Sequence, residues 1–378
     1  MAGDLVVSGL TNTRFDVAVV GAGMAGISLA ALLAPERSVV VLEREAHPAM
    51  HATGRSAAFY AETYGGPGVQ PLTTASRDLL FSPPPEFSEQ PLVSDRGALH
   101  VARQGKEAFL DALSTDFDGT GVRIETLTAA ETEAKAPLLR ADWRRQSLWE
   151  PGCRDIDVAG LHAAYLRQAR RAGAQILTEA ELESASFLEN WQIETRRGRV
   201  QADLLVNAGG AWADHVAAAC GVSPIGLQPL RRTMVVADLD RPVADDWPLT
   251  VDAEGGFYYK PDAGRLWISP HDEVPAPAGD AQPEEIDIAV AVDRFESAAD
   301  AHVARIERSW AGLRTFAPDR LPVYGFEAAD NPFFWCAGQG GFGIQTAPAA
   351  ADLCAALILG RPVPHGLNAG TYAARRFR

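Results

Sequence analysis

The stretch FDVAVVGAGMAGISLAALLAPERSVVVLE, residues 15–43, decides the fold. Residues 15–20 are apolar and rich in valine, as in a buried parallel strand. A complete G-x-G-x-x-G turn over 21–26 follows, then an apolar helix over 27–34 and a second valine-rich strand that ends at Glu43. Glycines alone would be weak evidence, but strand, glycine turn, helix, strand and acid in this order predict a Rossmann-like dinucleotide-binding unit.

Each residue of this motif has its own physical role in such a site. Gly21 permits the tight turn, Gly23 lets the backbone approach a pyrophosphate, and Gly26 lets the helix lie close to the strand. The phosphates lie on the free amides and the positive dipole end of the helix. Glu43 can accept hydrogen bonds from ribose hydroxyls and would repel a 2′-phosphate, which disfavours NADP. The motif itself leaves FAD and NAD open.

Composition excludes several classes of protein. The chain has 378 residues and a net charge of −15, from 34 basic and 49 acidic residues. An acidic surface disfavours nucleic-acid binding, and an anionic substrate would need local arginines to capture it. The four cysteines have no metal or redox spacing, which indicates buried thiols in a reducing compartment and favours a cytoplasmic protein. No histidine pair suggests a metal site, and no G-x-S-x-G elbow supports a serine hydrolase.

One segment has the length of a bilayer span. Residues 17–34 carry no charge, but glycines interrupt them and no basic cluster precedes them. The sequence therefore predicts neither a transmembrane segment nor a signal peptide. Residues 1–13 are typical of a poorly ordered terminus.

Elements of the nucleotide-binding type recur along the chain. Strand-and-helix patterns occupy 155–177, 199–214 and 333–357. The stretches between them alternate polar and apolar residues and are richer in proline and aromatic residues. The sequence predicts an α/β fold in which a discontinuous Rossmann-like domain is interwoven with an antiparallel-sheet α+β substrate domain. The first comprises residues 14–80, 150–222 and 312–378, and the second residues 81–149 and 223–311.

These motifs resemble the D-amino-acid oxidase superfamily of FAD enzymes, which includes glycine oxidase, sarcosine oxidase and D-amino-acid dehydrogenases. The resemblance rests on VVGAGMAGISLA, VVVLEREAHPAMHATGRSAAFY, DIDVAGL, VNAGGAWAD, WAGLRTFAPDRLPVYG and GQGGFGIQTAPA, in the family order over nearly the whole chain. Within this superfamily, the chain resembles the bacterial D-arginine dehydrogenase type in particular, through TGRSAA, LQPLRR, FYYKPDAG and GGFGIQT.

The resemblance implies a noncovalent FAD with its isoalloxazine at the domain interface. The loop 51–58 would run beside the flavin, and the GQGGFGIQT turn would bring amides and a helix N-terminus to its pyrimidine ring, where a positive end stabilises the anionic reduced flavin. The implied cofactor-binding residues are Gly21, Gly23, Met24, Ala25, Gly26, Glu43, Arg44, Thr53, Arg55, Ser56, Ala57, Gly209, Trp212, Gly341, Gly343, Ile344 and Gln345.

The resemblance also implies a substrate site of two arginines and two tyrosines. Arg232 and Arg314 match the family's carboxylate-binding arginines, and a planar guanidinium suits a carboxylate because it binds through two parallel hydrogen bonds. In a strand only one of Arg231 and Arg232 can face the site, and Arg232 is the prediction. The other matches are Tyr64, after a loop that resembles a mobile lid, and Tyr258.

Two departures from the D-arginine type bear on substrate choice. Phe59 and Ala98 stand where that type has a lid histidine and an acidic residue that reads the cationic side chain. A buried guanidinium without a partner is costly, so we expect apolar or aromatic substrate side chains. Glu62 and Asp95 are the alternative acids. No protein base is evident, and a loop histidine such as His51 is more often structural.

Two further departures bear on the electron acceptor. Sarcosine-oxidase relatives have a lysine near flavin N5, whereas the segment 265–272 has Trp267 and no lysine. They also bind FAD through a cysteine, and 314–322 has none. The expected function is therefore an FAD-dependent amino-acid dehydrogenase, implied to act on D-amino acids, with a quinone or another carrier as acceptor. A glycine- or sarcosine-type oxidase that releases peroxide and a flavin redox protein without amine chemistry are the alternatives; the oligomeric state is left open.

Overall fold

The computed structural model describes residues 10–378. The first nine residues of the terminus predicted to be poorly ordered lie outside the described residues. For residues 10–13 that prediction is wrong, because they begin the first strand, Leu10–Val20. From Leu10 onward, this strand pairs in parallel with the strand Gly198–Asn207.

The described strands and helices follow one another along the whole chain. The strands are β1 Leu10–Val20, β2 Val39–Leu42, β3 Phe59–Tyr60, β4 Val93–Asp95, β5 Ala98–Val101, β6 Glu125–Thr128, β7 Gln146–Glu150, β8 Arg154–Ile156, β9 Gln175–Leu177, β10 Leu182–Phe187, β11 Trp191–Thr195, β12 Gly198–Asn207, β13 Gln228–Leu239, β14 Leu249–Asp252, β15 Tyr258–Asp262, β16 Arg265–Ser269, β17 Val274–Pro275, β18 Val303–Phe316, β19 Val323–Ala328, β20 Asn331–Ala337 and β21 Gln339–Gly340. The α-helices are α1 Met24–Leu33, α2 Gln70–Ala75, α3 Arg77–Phe81, α4 Ala108–Asp116, α5 Ala129–Lys135, α6 Val158–Arg171, α7 Ala213–Ala219, α8 Glu285–Ala298, α9 Ala347–Ile358 and α10 Ala369–Tyr372.

The sheet that contains β1 is built around five parallel strands. The strands β9, β2, β1 and β12 pair in parallel in this order, and β20 pairs in parallel with the carboxyl end of β12. Alternate residues of these strands enter two cores: Val17 and Val19 pack with α1, α6 and α9, whereas Ala18 and Val20 pack with α7. Burial on both faces explains why these strands read as continuous apolar runs.

A second, larger sheet is mostly antiparallel. Its order is β21-β18-β13-β16-β15-β14-β5-β7-β6, with β17 on the edge of β13 and one parallel pair, β5 with β14. One face packs on α8, where Phe295 contacts the core that includes Val235 and Tyr259. The other face carries Met234 and Tyr258 in a separate cluster. Strands β3, β4 and β8 form a third, small sheet.

The mixed α/β fold expected from the sequence is confirmed. The division into two domains stays a prediction; strand β18 runs across its boundary at residue 312. Within the described residues, no helix is both long and apolar enough to cross a bilayer.

Candidate active site

The glycine turn after β1 is required by close backbone contacts. Gly21 has a φ of 103°, and a Cβ there would lie 2.5 Å from the carbonyl oxygen of Ala208. A Cβ at Gly26 would lie 1.9 Å from the carbonyl oxygen of Gly21. Gly23 is different, because its Cβ would meet only the hydroxyl of Thr53, at 3.3 Å. The fold therefore requires glycine at positions 21 and 26, whereas Gly23 has no close backbone contact and lines a cavity.

The acid at the end of β2 holds this turn in place. Glu43 is buried, and its carboxylate accepts the backbone amides of Ala22 and Glu45 at 2.8 and 2.9 Å. A carboxylate has further lone pairs, so these bonds leave capacity for ribose hydroxyls. His162 on α6 approaches the Ala22 carbonyl at 2.9 Å, a support that the sequence did not reveal.

The segment 49–57 forms the next part of the wall. The hydroxyl of Thr53 accepts the amide of Met24 at 3.0 Å, which ties this segment to the first turn of α1. The Arg55 guanidinium donates to the carbonyls of Ala281 and Ala311 at 2.8 and 3.1 Å and is ion-paired with Asp280. Thr53 and Arg55 therefore tie this segment to α1 on one side and to residues 280, 281 and 311 on the other.

Aromatic and cationic side chains line the same cavity near its nucleotide end. The Arg44 guanidinium lies 4.5 Å from the centre of the Trp212 ring, and the His51 ring packs against that ring at 4.7 Å. His51 also contacts Glu45 at 2.8 Å. These contacts give His51 a structural role, consistent with the sequence argument against a catalytic base.

The turn before α9 is placed differently from the prediction at one residue. Gly341, Gly343 and Ile344 line the cavity, but Gln345 does not, and its side chain is 2% exposed. Its carbonyl oxygen accepts the amide of Ala61, and its amide donates to the carbonyl of Tyr64 and the hydroxyl of Thr73, each at 3.0 Å. The glycine pattern around it gave no signal of this role.

The two predicted arginines come from neighbouring strands. In the ladder between β13 and β18, Leu230 lies opposite Arg314 and Arg232 lies opposite Gly312. Arg232 and Arg314 are therefore diagonal neighbours on one face. Arg231 faces the other way and is ion-paired with Glu284 and Asp287 at the start of α8.

Hydrogen bonds link Arg314 to both predicted tyrosines. Its Nη1 donates to the hydroxyl of Tyr64 at 2.6 Å, and its Nη2 donates to that of Tyr258 at 3.2 Å. Arg232, 4% exposed, donates from Nε to the carbonyl of Asp272 at 2.7 Å and from Nη2 to Glu273 at 3.2 Å. Its Nη1 is buried without a partner among the described residues. A carboxylate in this place would supply the acceptor that Nη1 lacks.

Electrostatics in this cluster are those of an anion site. Burial and the neighbouring charge of Arg314 lower the pKa of Arg232. Burial alone would raise the pKa of Tyr258, but the charges of Arg314 and Arg232 outweigh it and lower that pKa. The shift of Tyr258 and the part of the Arg232 shift that is due to Arg314 express the closeness of two positive charges, which an anionic ligand would relieve.

One cavity of about 560 Å³ connects all of these parts. It runs from the glycine turn and Glu43, along 49–57 and the turn 341–344, to Arg232, Met234, Tyr258 and Arg314. Tyr64 contacts Arg314 through its hydroxyl but does not itself line the cavity. Open space beside Gly23 and the amides of the first turn of α1, which have no partner within a helix, fit a dinucleotide phosphate at one end. A small anion fits the other end.

The buried imidazole of His271 lies close to the arginine pair, whose charges affect its pKa. Its Nδ1 lies 3.0 Å from the Gly255 carbonyl, and its ring packs edge-on against Tyr258. Burial, with the charges of Arg232 and Arg314, lowers the pKa of His271 to about 3. In the unfolded chain a histidine has a pKa of about 6.5, so this side chain binds a proton there at a much higher pH than in the folded protein.

Below that pH the unfolded chain binds more protons than the folded protein. The free energy of unfolding should therefore fall as the pH falls from about 6.5 towards 3. We expect His271→Asn, which keeps an N–H donor and tolerates the positive φ of 56°, to flatten this dependence by up to about 1.4 kcal/mol per pH unit. Urea unfolding between about pH 7 and 5 measures the slope. An identical slope in the variant would contradict the buried, neutral histidine.

The fold and the site together define a class: a dinucleotide-binding oxidoreductase whose cofactor cavity ends at a cationic pocket. The chain belongs to the DAO family of FAD-dependent oxidoreductases, whose model matches residues 16–357. FAD is thus the cofactor, as the sequence predicted, and the protein is an FAD-dependent oxidoreductase. All four cysteines are buried and none lines the cavity, so we expect FAD to be noncovalent.

Relatives and solved structures agree with this family. The chain is 25% identical over 358 residues to glycine oxidase of Geobacillus kaustophilus, covering 91% of this chain and 93% of that protein. The crystal structure of glycine oxidase from that organism has a TM-score of 0.83, 23% identity and coverage of 96% and 98%. L-proline dehydrogenase from P. horikoshii has a TM-score of 0.83, 22% identity and coverage of 97% and 98%. The two structures show a shared fold.

Proposed function

We propose that the protein oxidises the Cα–N bond of an α-amino acid, with D-amino acids of apolar side chain as the favoured substrates. The ammonium group first loses a proton to solvent, the Cα hydrogen leaves with its electron pair, the nitrogen lone pair completes a C=N bond, and water hydrolyses the imino acid to a 2-oxo acid and ammonia. When bound, FAD supplies the hydride acceptor, N5 of its isoalloxazine. The arginine pair at the end of the cofactor cavity is the observation that carries this proposal.

The arginines account for recognition of the substrate carboxylate. Arg232 and Arg314 lie side by side in a chain whose overall charge is −15, and they supply the local positive charge that an anionic substrate needs against that long-range field. A carboxylate between two guanidinium groups is fixed in position and in orientation. Tyr64 and Tyr258 hold Arg314 through hydroxyls, which adds no negative charge to compete with the substrate.

The surroundings of the arginine pair favour an apolar substrate side chain. Met234 and Tyr258 share an apolar cluster with Ala98, against which Phe59 and Trp267 pack. The alternative acids do not reach this place: the side chain of Asp95 is 94% exposed and pairs with Arg154, and Glu62 does not line the cavity. A cationic side chain would find no carboxylate partner among these residues and would lose hydration.

We therefore expect kcat/KM for D-Leu, D-Met or D-Phe to exceed that for D-Arg. Burying such a side chain contributes about 25 cal/mol for each Å² removed from water, hence roughly tenfold or more in kcat/KM. Steady-state assays with both enantiomers of each amino acid measure the preference and the handedness. A preference for D-Arg or D-Lys would show that another acid reads the side chain.

The electron acceptor distinguishes the two enzyme alternatives. A dehydrogenase that passes electrons to a quinone or another carrier is favoured because the lysine beside Trp267 is not available to the flavin. This residue, Lys260 on β15, donates to Asp155 at 2.6 Å and does not line the cavity. A glycine- or sarcosine-type oxidase is favoured by the likeness to glycine oxidase, which spans 91% of the chain.

An anaerobic substrate screen tests the function directly. Purified holoprotein is mixed with single amino acids, glycine and sarcosine, and bleaching of the flavin absorption reports reduction. We expect bleaching by apolar D-amino acids and formation of the 2-oxo acid. The reduced protein is then mixed with air-saturated buffer or with a soluble quinone; fast peroxide release would select the oxidase. A flavin that no amino acid or amine bleaches would overturn the proposal.

A further inference from the structure

The segment 61–64, which ends at Tyr64, is held on both sides by buried polar side chains. From one side, Gln345 accepts the amide of Ala61 and donates to the carbonyl of Tyr64, both at 3.0 Å. These bonds hold the first and last residues of the segment, which lies at the end of the loop that resembles a mobile lid in the sequence.

Glu150, at the end of β7, holds the same segment from the other side. It is 1% exposed and takes no part in the proposed reaction. One carboxylate oxygen accepts the amides of Glu62 at 2.6 Å and Thr63 at 3.4 Å. The other accepts the hydroxyl of Thr63 at 2.6 Å and lies 3.4 Å from Nε2 of His100.

Burial of a carboxylate costs free energy unless hydrogen-bond donors surround it. Glu150 meets that condition only while residues 62 and 63 keep their present conformation. The position of the Tyr64 hydroxyl, 2.6 Å from Nη1 of Arg314, follows from the same conformation. The chain of contacts therefore runs from Glu150 and Gln345 through the segment 61–64 to the guanidinium.

We propose that Glu150 and Gln345 are positioning residues, which fix the segment 61–64 so that Tyr64 orients Arg314 for the substrate carboxylate. This inference rests on the proposed function, because it takes Arg314 as the carboxylate ligand. Neither side chain lines the cavity, so their effect must pass through Tyr64.

A competing role for Glu150 follows from its place in the sheet. It lies directly opposite Ala98, where D-arginine-type relatives have their side-chain-reading acid. Its two oxygens already face three donors and His100, which favours the positioning role. If Glu150 instead reads a cationic side chain, its removal would affect D-Arg and leave the binding of other carboxylates unchanged.

Benzoate, a carboxylate without an amine, is a suitable probe for the experiment. Its dissociation constant from the holoprotein is measured through the change in flavin absorption, which does not depend on turnover. We expect Glu150→Ala, Gln345→Met and Tyr64→Phe each to raise this constant about tenfold, the worth of one well-placed hydrogen bond. Glu150→Gln, whose carbonyl can still accept both amides, should retain most of the affinity.

A double-mutant cycle separates positioning from general loss of stability. If Glu150 acts through Tyr64, Glu150→Ala should weaken benzoate binding less than about twofold further when Tyr64 is already phenylalanine. Asp214→Asn is the matched control, because Asp214 also accepts backbone amides, those of Ile225, Gly226 and Leu227, but has no contact with 61–64. It should leave benzoate binding unchanged.

The outcomes distinguish the two proposals. If Arg314→Lys leaves benzoate binding unchanged, the carboxylate site itself is wrong. If Arg314→Lys weakens binding but Glu150→Ala and Gln345→Met do not, or if the effects of Glu150→Ala and Tyr64→Phe are fully additive, the positioning role is wrong. Should Glu150→Ala fail to fold, the same cycle with Gln345→Met decides.

Discussion

Arg314→Lys is expected to raise KM for an amino-acid substrate roughly 5- to 150-fold, equivalent to about 1–3 kcal/mol of lost binding. The guanidinium bonds two tyrosine hydroxyls and still has N–H groups for a carboxylate. A lysine ammonium is a point charge with three donors on a flexible stem and cannot reproduce this planar arrangement. The charge of the pocket is unchanged, so the loss measures geometry rather than net charge.

Arg231→Lys is the matched control for this substitution. Arg231 lies on β13, the strand paired with the β18 strand of Arg314; it is buried, faces α8 and is ion-paired with Glu284 and Asp287. Its replacement should lower the melting temperature more than it changes KM, whereas Arg314→Lys should do the reverse. Steady-state kinetics and thermal melting of the two holoproteins make the comparison. Unchanged kinetics for Arg314→Lys would remove this residue from the site.

The nucleotide-binding unit could be predicted from the sequence because its constraints are local. Strand, glycine turn, helix and acid lie within residues 15–43, and two of the glycines, Gly21 and Gly26, are required by close backbone contacts inside that unit or with Ala208 after β12. Strand alternation allowed only one of Arg231 and Arg232 to face the site, and the resemblance selected Arg232; the two side chains do face opposite sides of β13.

The supports of the site could not be predicted in the same way. Glu150 and Gln345 meet at the segment 61–64 from strands and helices far apart in the chain, and a single glutamate at a strand end carries no periodic signal. The resemblance implied Gln345 as a cofactor-binding residue because it belongs to the GQGGFGIQT motif, but its side chain does not line the cavity. Which side of such a turn a side chain occupies depends on tertiary contacts, which local pattern does not encode.

Gly23→Val is expected to yield folded protein without FAD. The backbone at Gly23 has a φ of −72° and a ψ of −176°, which valine readily adopts, and the nearest atom to a new Cβ is the Thr53 hydroxyl at 3.3 Å. The added methyl groups would instead occupy space beside the first turn of α1, where the cofactor phosphates bind. The Thr53 hydroxyl must shift slightly, a far smaller demand than the backbone contacts at Gly21 and Gly26, so we expect the fold to tolerate the change and the cofactor not to bind.

The flavin-to-protein absorbance ratio after purification is the first measurement, and it should fall to nearly zero. Thermal melting is the second, with wild type stripped of FAD by acid or denaturant as the reference. Because a ligand that binds only the folded state raises its stability, the variant should melt below holoprotein but close to stripped wild type. Gly26→Val is the contrasting control: its Cβ meets the Gly21 carbonyl at 1.9 Å, so it should damage the fold itself. A yellow Gly23→Val protein with a wild-type absorbance ratio would place the cofactor phosphates elsewhere in the cavity.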